Sequence, residues 1–222
     1  LDIAVPEIEA DKVWQFVDYN NQILDGRGIR VVDFDTGIDA THPGFFWADG
    51  ETYDWIDFTG TGDFTPGVDG IDLNRNGIKD VNETLGFWDG TFTDPYGVVT
   101  NQDGVFQCDQ DWLYNDANDN GIRDYGVSNG FTESDPTYGE LIFVVNDTNG
   151  NNALDPGETL TALNTCRVYK SLNAGGVERT RGVDLINNQG DSNGHGTGVC
   201  GIISSEVMNK RRYVGVAPGQ SY

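Results

Sequence analysis

Two residues of this 222-residue chain stand where acid–base chemistry can take place. Asp35 follows an apolar run, residues 29–34, and opens an Asp-Thr-Gly turn, while His195 lies between Gly194 and Gly196. A carboxylate can hold one imidazole nitrogen, which fixes the tautomer and stabilises the cation formed when the other nitrogen takes a proton. Asp35 and His195 are therefore the candidate catalytic residues. An isolated aspartate also forms turns, and an isolated histidine also caps helices.

A repeated twelve-residue pattern in the middle of the chain indicates a second kind of chemistry. The complete pattern has Asp at position 1, oxygen-bearing side chains at positions 3, 5 and 9, Gly at position 6 and Glu at position 12. Such a loop winds around a cation, so alternate side chains point inward and position 7 offers its carbonyl oxygen. Segments that begin at Asp72, Asp116 and Asp147 fit this pattern. Calcium is therefore the expected cofactor.

The three loops match the pattern to different degrees. Loop 1, residues 72–83, is complete, and loop 3, residues 147–158, carries Asn152 at the glycine position, which Asn tolerates. Loop 2 begins at Asp116 and fits only as far as position 9, because Val127 stands where Glu is expected. The alternative is that richness in Asp, Asn and Gly merely marks turns. The predicted ligands are Asp72, Asn74, Asn76, Ile78, Asp80, Glu83, Asp116, Asn118, Asn120, Asp124, Asp147, Asn149, Asn151, Ala153, Asp155 and Glu158.

The segments around the two candidate catalytic residues resemble the motifs of the subtilisin-like serine proteases. Residues 26–43 resemble the aspartate motif of that family, and residues 191–202 resemble its histidine motif. The sequence Gly-Val-Ala-Pro at 215–218 is similar to the strand that follows, and residues 8–14 resemble the usual approach to the first strand. On this resemblance Asp35 orients the imidazole and the histidine is the general base for cleavage of a polypeptide substrate.

The resemblance also implies a fold and a division of the chain. Residues 1–46 and 183–222 form a frame that is expected to be α/β, an incomplete parallel sheet with helices. Residues 47–182 are expected to be an acidic, calcium-binding insertion of loops and short strands. The expected elements are a short amphipathic helix at 8–19, frame strands at 29–34, 183–186 and 213–217, a buried helix at 199–207, and an insertion strand at 140–145.

Two features depart from the family's pattern. The 160 positions between Asp35 and His195 are several times the usual gap, so the insertion must loop out. No Gly-Thr-Ser-Met-Ala-like segment provides a nucleophile, and Ser204, Ser205 and Ser221 have the wrong surroundings. The resemblance therefore implies the N-terminal part of a serine endopeptidase, inactive alone. Its serine and the remaining part of the catalytic domain would follow residue 222.

The composition excludes several other classes. With 36 acidic against 13 basic residues the chain has a formal charge of −23, which argues against binding to nucleic acid or to anionic lipid. No apolar run approaches the roughly 20 residues of a membrane span. The charge is concentrated between residues 47 and 160, where 23 acids meet 3 bases.

The ends and the cysteines bear on location. The sequence begins at Leu1 without Met, which fits a removed targeting segment or a fragment, and we expect an extracellular or cell-envelope protein. Cys108 and Cys166 flank the acidic middle and can pair in an oxidising compartment, the alternative being three reduced, partly buried thiols. Two other functions stay open: a catalytically dead homologue or calcium-dependent adhesion module, and a glycosidase that uses paired carboxylates.

Overall fold

The computed structural model describes residues 4–90, 92–93, 99–100, 103–205, 207, 210–212 and 214–222. The helices are α1 (Ala4–Glu7), α2 (Ala10–Val13) and α3 (His195–Ser204), with 3-10 turns at Pro43–Phe45, Val127–Asn129, Pro136–Tyr138 and Leu185–Asn187. The strands are β1 (Thr52–Ile56), β2 (Gly70–Ile71), β3 (Thr84–Trp88), β4 (Phe92–Thr93), β5 (Val99–Thr100), β6 (Trp112–Asp116), β7 (Ile142–Val145), β8 (Thr159–Ala162), β9 (Lys170–Leu172) and β10 (Glu178–Thr180). No helix among the described residues is long and apolar enough to cross a membrane.

Six of these strands form a closed antiparallel barrel in the order β1-β2-β3-β6-β7-β8. Every pairing within the barrel is antiparallel, and β8 returns to β1, where Tyr53 lies opposite Leu160. Loops without long helices connect these strands, and loops of that kind suit antiparallel pairing. Two separate hairpins, β4 with β5 and β9 with β10, lie outside the barrel.

Strand β7 shows how the barrel is packed on both faces. Phe143 and Val145 belong to the core inside the barrel, whereas Ile142 and Val144 belong to a second core between the barrel wall and the frame. Successive side chains of a strand point to opposite faces, so a continuous apolar run is the pattern of a strand covered on both sides. The structure therefore has the strand expected at 140–145, as Ile142–Val145.

The strand directions place the three candidate calcium loops at the two ends of the barrel. Loop 1 joins β2 to β3, and loop 2 follows β6, which runs antiparallel to β3 and pairs Asp116 with Thr84. These two loops therefore leave the same end. Loop 3 joins β7 to β8 and consequently lies at the opposite end.

The expected α/β fold is wrong. The described strands form an antiparallel barrel, and in the described part of the chain only α3, with ten residues, exceeds a single turn of α-helix. Parallel strands need crossover connections, usually helices, to cover both faces of the sheet. Residues 29–34 have no such cover: Val32 is 73% exposed and Phe34 is 94% exposed. Within the described part of the chain, their β-pairing consists of one parallel bridge between Arg30 and Ser221.

The other expected frame elements also differ from the structure. The segment 183–186 contributes to the 3-10 turn Leu185–Asn187 instead of a strand, and residues 214–217 form no strand, with residue 213 outside the described part of the chain. The helix expected at 199–207 is α3, which begins earlier and is only partly buried, while residue 206 also lies outside the description. The amphipathic helix expected at 8–19 is reduced to the four residues of α2.

The three cysteines are free and buried. The possible pairing of Cys108 with Cys166 is therefore not what the structure has. Cys108 belongs to the core inside the barrel, whereas Cys166 and Cys200 belong to the second core, between the barrel wall and the frame, which we call the outer core. Burial raises the pKa of the Cys166 and Cys200 thiols to about 12.

Candidate functional site

The structure brings Asp35 and His195 together across 160 positions of sequence. Nδ1 of His195 lies 2.7 Å from Oδ1 and 2.9 Å from Oδ2 of Asp35. The Asp35 carboxylate also accepts a hydrogen bond of 2.7 Å from the N–H of Thr36. Since the carboxylate accepts from Nδ1, the imidazole carries its proton there when neutral, and Nε2 is left as the basic nitrogen.

A second carboxylate braces the two chain segments that carry this pair. Asp191 accepts hydrogen bonds of 2.9 Å from the Thr36 hydroxyl and from both the N–H and the hydroxyl of Thr197. The Thr36 hydroxyl in turn accepts from the N–H of Gly196, at 3.1 Å. These bonds join the turn after Asp35 to the first residues of α3. Sequence reasoning did not assign a role to Asp191, Thr36 or Thr197, although the threonines directly follow Asp35 and Gly196.

Glycine is required at position 196 by a close approach of the two segments. A Cβ atom there would overlap the carbonyl oxygen of Gly37 and would lie 3.0 Å from Cβ of Asp35. Gly37 itself has φ of 138°, a backbone conformation that residues with a side chain rarely adopt, and a Cβ there would meet the Gly190 carbonyl oxygen. The glycines therefore let the backbone of α3 lie against the Asp35 turn.

The hydrogen bond between the pair shifts both titrations. Accepting from His195 lowers the pKa of the Asp35 carboxyl, and its bond from the N–H of Thr36 adds to this effect. The same partner raises the pKa of His195, first through the hydrogen bond and then through its charge. Asp191 has its pKa lowered chiefly by the hydrogen bond from the N–H of Thr197. Both carboxylates are thus held in their ionised form.

The basic nitrogen faces open solvent. The His195 side chain is 65% exposed, and Nε2 makes no hydrogen bond within the described part of the chain. A cavity of about 580 Å³ lies elsewhere, beside loop 3, and is lined by Cys108, Asp147 and Lys210 among others. The pair is therefore at an open surface and not in an enclosed pocket.

The serines considered from the sequence do not reach the pair. Ser204 is the last residue of α3, nine residues from His195, which corresponds to about 13.5 Å along a helix. Its hydroxyl is buried and donates to the carbonyl of Gln220. Ser205 is buried and follows the helix, while Ser221 pairs with Arg30. Their surroundings agree with the exclusion of these residues as nucleophiles.

The three candidate calcium loops share one internal hydrogen-bond pattern. In loop 1 the two oxygens of Asp72 accept from the N–H groups of Asn76 and Gly77, and Asp80 accepts from the side-chain amides of Asn74 and Asn76. Position 3 accepts from the N–H of position 5, and position 5 from that of position 7, in all three loops. The amides at positions 3 and 5 donate to the position-9 aspartate in loops 2 and 3 as well.

Backbone conformation follows the same repeat. Position 6 has positive φ in each loop, at Gly77, Gly121 and Asn152. Asn152, with φ of 68°, therefore takes the conformation that its place in the pattern predicted. Position 4 also has positive φ, at Arg75, Asp119 and Gly150, a feature that the side-chain pattern does not reveal.

The donor set of the loops suits a hard cation. Asp, Asn and carbonyl groups offer oxygen, the ligand type that calcium prefers, and the position-1 and position-12 carboxylates of loop 1 are only 5% and 3% exposed. Among the described residues, no three His, Cys, Asp or Glu side chains converge into a metal-binding group. The loop carboxylates are instead bonded to N–H groups and asparagine amides of their own loops.

In comparisons with protein-family models, with curated proteins and with solved structures, nothing matches this chain. Together with the antiparallel barrel, this result overturns the resemblance to the subtilisin-like serine proteases as a statement of family, because that family has a parallel α/β fold. The local motifs around Asp35 and His195 therefore stand on their own geometry.

Proposed function

We propose that Asp35 and His195 are the acid–base pair of a hydrolase that cleaves peptide bonds with a serine nucleophile, and that calcium stabilises the barrel beside it. The observation that carries this proposal is the hydrogen bond of Nδ1 to both carboxylate oxygens, with Nε2 left exposed. An open surface around the basic nitrogen suits a polypeptide substrate better than a small molecule, which binds in enclosed pockets.

In this proposal each group has one task. Nε2 of neutral His195 takes the proton of the serine hydroxyl as its oxygen attacks the peptide carbonyl, and later gives that proton to the leaving amine. Asp35 remains ionised and stabilises the imidazolium between these steps. Because the lowered pKa of Asp35 keeps it charged, the rate depends on the titration of His195.

No segment of the 222 residues has the Gly-Thr-Ser-Met-Ala-like sequence that would provide the serine. The hydroxyls of Ser204, Ser205 and Ser221 do not serve, for the reasons of distance and burial given above. The 222-residue chain tested alone is therefore expected to be inert.

Calcium enters the proposal through the three loops at the barrel ends. When bound, the ion would neutralise carboxylates that are otherwise crowded and buried. Each loop joins or follows barrel strands, so a ligand that fixes a loop also fixes the strand ends beside it. Binding to the folded state alone stabilises it by mass action.

Labelling with a fluorophosphonate probe tests the hydrolase. The product of the complete gene is compared with its His195→Ala variant and with Glu178→Gln, a control on the exposed end of β10. We expect labelling of the native protein and of the control, and its loss in His195→Ala. Equal labelling of all three proteins would exclude His195 as the base. Specific labelling of the 222-residue chain alone would contradict the absence of a nucleophile.

A calcium-dependent structural or adhesion module is the second candidate. It is favoured by the shared bonding of three loops at both ends of the barrel, which requires no catalytic residue. This candidate predicts that His195→Ala changes no measurable property of the native protein, whereas chelation of calcium abolishes its association with a partner.

A further inference from the structure

Loop 2 lacks an acidic residue at its twelfth position. Val127 occupies that place, has its side chain 54% exposed and begins the 3-10 turn Val127–Asn129. It offers no carboxylate, and calcium loops of this kind take a bidentate carboxylate at position 12. The question is whether another residue of the fold fills the position.

Glu140 makes the contacts that a twelfth-position glutamate would make. Its Oε1 accepts from the N–H of Ala117, at position 2, and its Oε2 from the N–H of Asp124, at position 9, both at 2.8 Å. Its own N–H donates to the carbonyl of Asp124, at 2.9 Å. The carboxylate and the backbone of Glu140 thus close the loop that begins at Asp116.

The true twelfth-position glutamates of the other loops make the same three contacts. Glu83 accepts from positions 2 and 9 of loop 1 at 3.0 and 2.9 Å, and Glu158 accepts from those of loop 3 at 2.7 and 3.1 Å. Their N–H groups also donate to the position-9 carbonyl. All three glutamates are buried, with only 3% of Glu83, 5% of Glu158 and 6% of Glu140 exposed to solvent.

Glu140 is much farther along the chain from its loop than Glu83 and Glu158 are from theirs, so the twelve-residue pattern does not include it. Sixteen positions separate Asp124 from Glu140, whereas three separate positions 9 and 12 in the other loops. Residues 125–139 leave the loop and lead back to Glu140 through Gly139. The backbone of Gly139 is extended, whereas Asn82 and Gly157, which precede the other two glutamates, have positive φ. The partly buried guanidinium of Arg123 donates to the carbonyls of Thr137 and Glu140 and so fixes the end of this segment next to loop 2.

We propose that Glu140 is the twelfth-position calcium ligand of loop 2, joined to the loop by folding and not by sequence. The inference rests on the proposed binding of calcium by these loops. With Glu140, loop 2 has a ligand at every position of the pattern. Calcium bound there would also fix residues 125–139, because it would hold the two ends of that segment together.

Calorimetric titration of the metal-stripped 222-residue chain with calcium tests the proposal. Glu140→Gln keeps the size of the side chain and one acceptor oxygen but removes the charge, and Glu83→Gln and Glu158→Gln are matched changes in the other loops. We expect three equivalents in the native chain, and in each variant one site weakened by at least about tenfold. Val127→Glu, which restores the nominal sequence pattern, is expected to leave affinity and stoichiometry unchanged.

The outcomes separate this inference from the proposal beneath it. No calcium bound by the native chain would overturn both. Weakening by Glu83→Gln and Glu158→Gln with none by Glu140→Gln would overturn only the role of Glu140, as would a gain of affinity in Val127→Glu. Should Glu140→Gln fail to fold by circular dichroism, the native stoichiometry decides, since two equivalents would overturn the assignment and three would support it.

Discussion

The barrel and the frame organise their charged groups in different ways. In the barrel, carboxylates of each loop bond to N–H groups and amides within a few residues, and the same bonds recur three times. In the frame, the central contact joins Asp35 to His195, and its supports reach between two distant segments. Local sequence therefore specifies positions 1 to 9 of each candidate calcium loop, whereas the twelfth position of loop 2 and the Asp35–His195 pair depend on contacts between distant segments.

The two regions also differ in exposure. Barrel side chains such as Leu85, Leu113 and Leu160 are fully buried, whereas Phe34 next to the catalytic candidate is almost fully exposed. A closed barrel leaves no strand edge unpaired, while the frame segments pair through isolated bridges. Perturbations of the barrel should thus act on stability alone, whereas perturbations of the frame should also change the geometry of the Asp35–His195 pair.

Removing calcium is expected to have the largest effect and to fall on the barrel. Three loops that bind calcium only in the folded state would each contribute about 4 kcal/mol at a thousandfold excess over Kd. The melting temperature should therefore fall by on the order of 10 °C or more in chelator. Differential scanning calorimetry with and without chelator measures the shift. An unchanged transition, with no calcium found by elemental analysis, would remove the contrast between the two regions.

Gly196→Ala tests the close approach within the frame. The added methyl group would overlap the Gly37 carbonyl oxygen, so we expect a loss of about 1–3 kcal/mol in the free energy of unfolding. Gly198→Ala is the matched control on the same helix, since a Cβ there meets open space. Urea denaturation compares the two variants. Equal stability of both would show that α3 is not packed against the Asp35 turn as described.

The titration of His195 gives a smaller and more specific effect. Its pKa is expected above the usual 6.5, and Asp35→Asn should bring it down towards that value. NMR titration of the histidine signals measures the difference between the native protein and Asp35→Asn. The midpoint of His195 should shift between the two proteins, while the signal of His42 is the same in both and serves as the control. A His195 midpoint that is the same in both proteins would show that the pair does not form in solution.

The sign of the associated pH dependence follows from these shifts. Since the folded pKa of His195 is raised, the stabilisation by this bond is complete below pH 6.5 and is lost as the pH rises through the folded value. Since the folded pKa of Asp35 is lowered, its contribution is present above 3.8 and is lost as the pH falls through the folded value. Catalysis requires the neutral imidazole, so hydrolysis should increase over the range in which the bond weakens.

The reactivity of the cysteine thiols is expected to differ least between the barrel and the outer core. Cys108 in the barrel and Cys166 and Cys200 in the outer core are all buried, and burial raises their pKa values. We expect all three to react with an aromatic disulfide reagent at least about 100-fold more slowly in the native than in the unfolded chain. Rapid reaction of one cysteine would identify the region that opens first.

Sequence reasoning worked where chemistry and backbone geometry share one short pattern. Asn152 could be placed in the left-handed region because position 6 of the pattern requires it, and the strand at 140–145 could be read from its apolar run. It failed where neighbours decide the outcome. Residues 29–34 have the composition of a buried strand, but burial depends on flanking elements that the described chain does not place there. Closure of the barrel depends on β8 meeting β1, a contact that no local pattern encodes.

The meeting of the two ends of the barrel segment has an evolutionary consequence. The N–H of Trp47 donates to the carbonyl of Thr165, and Phe46 pairs with Cys166, so the chain enters and leaves the barrel at neighbouring points. Neighbouring entry and exit points let a segment be inserted with little change to the host backbone. The outer face of this barrel also needs a host surface that covers Ile142 and Val144. A transferred barrel would therefore have to bring a complementary apolar surface with it or meet one in its host.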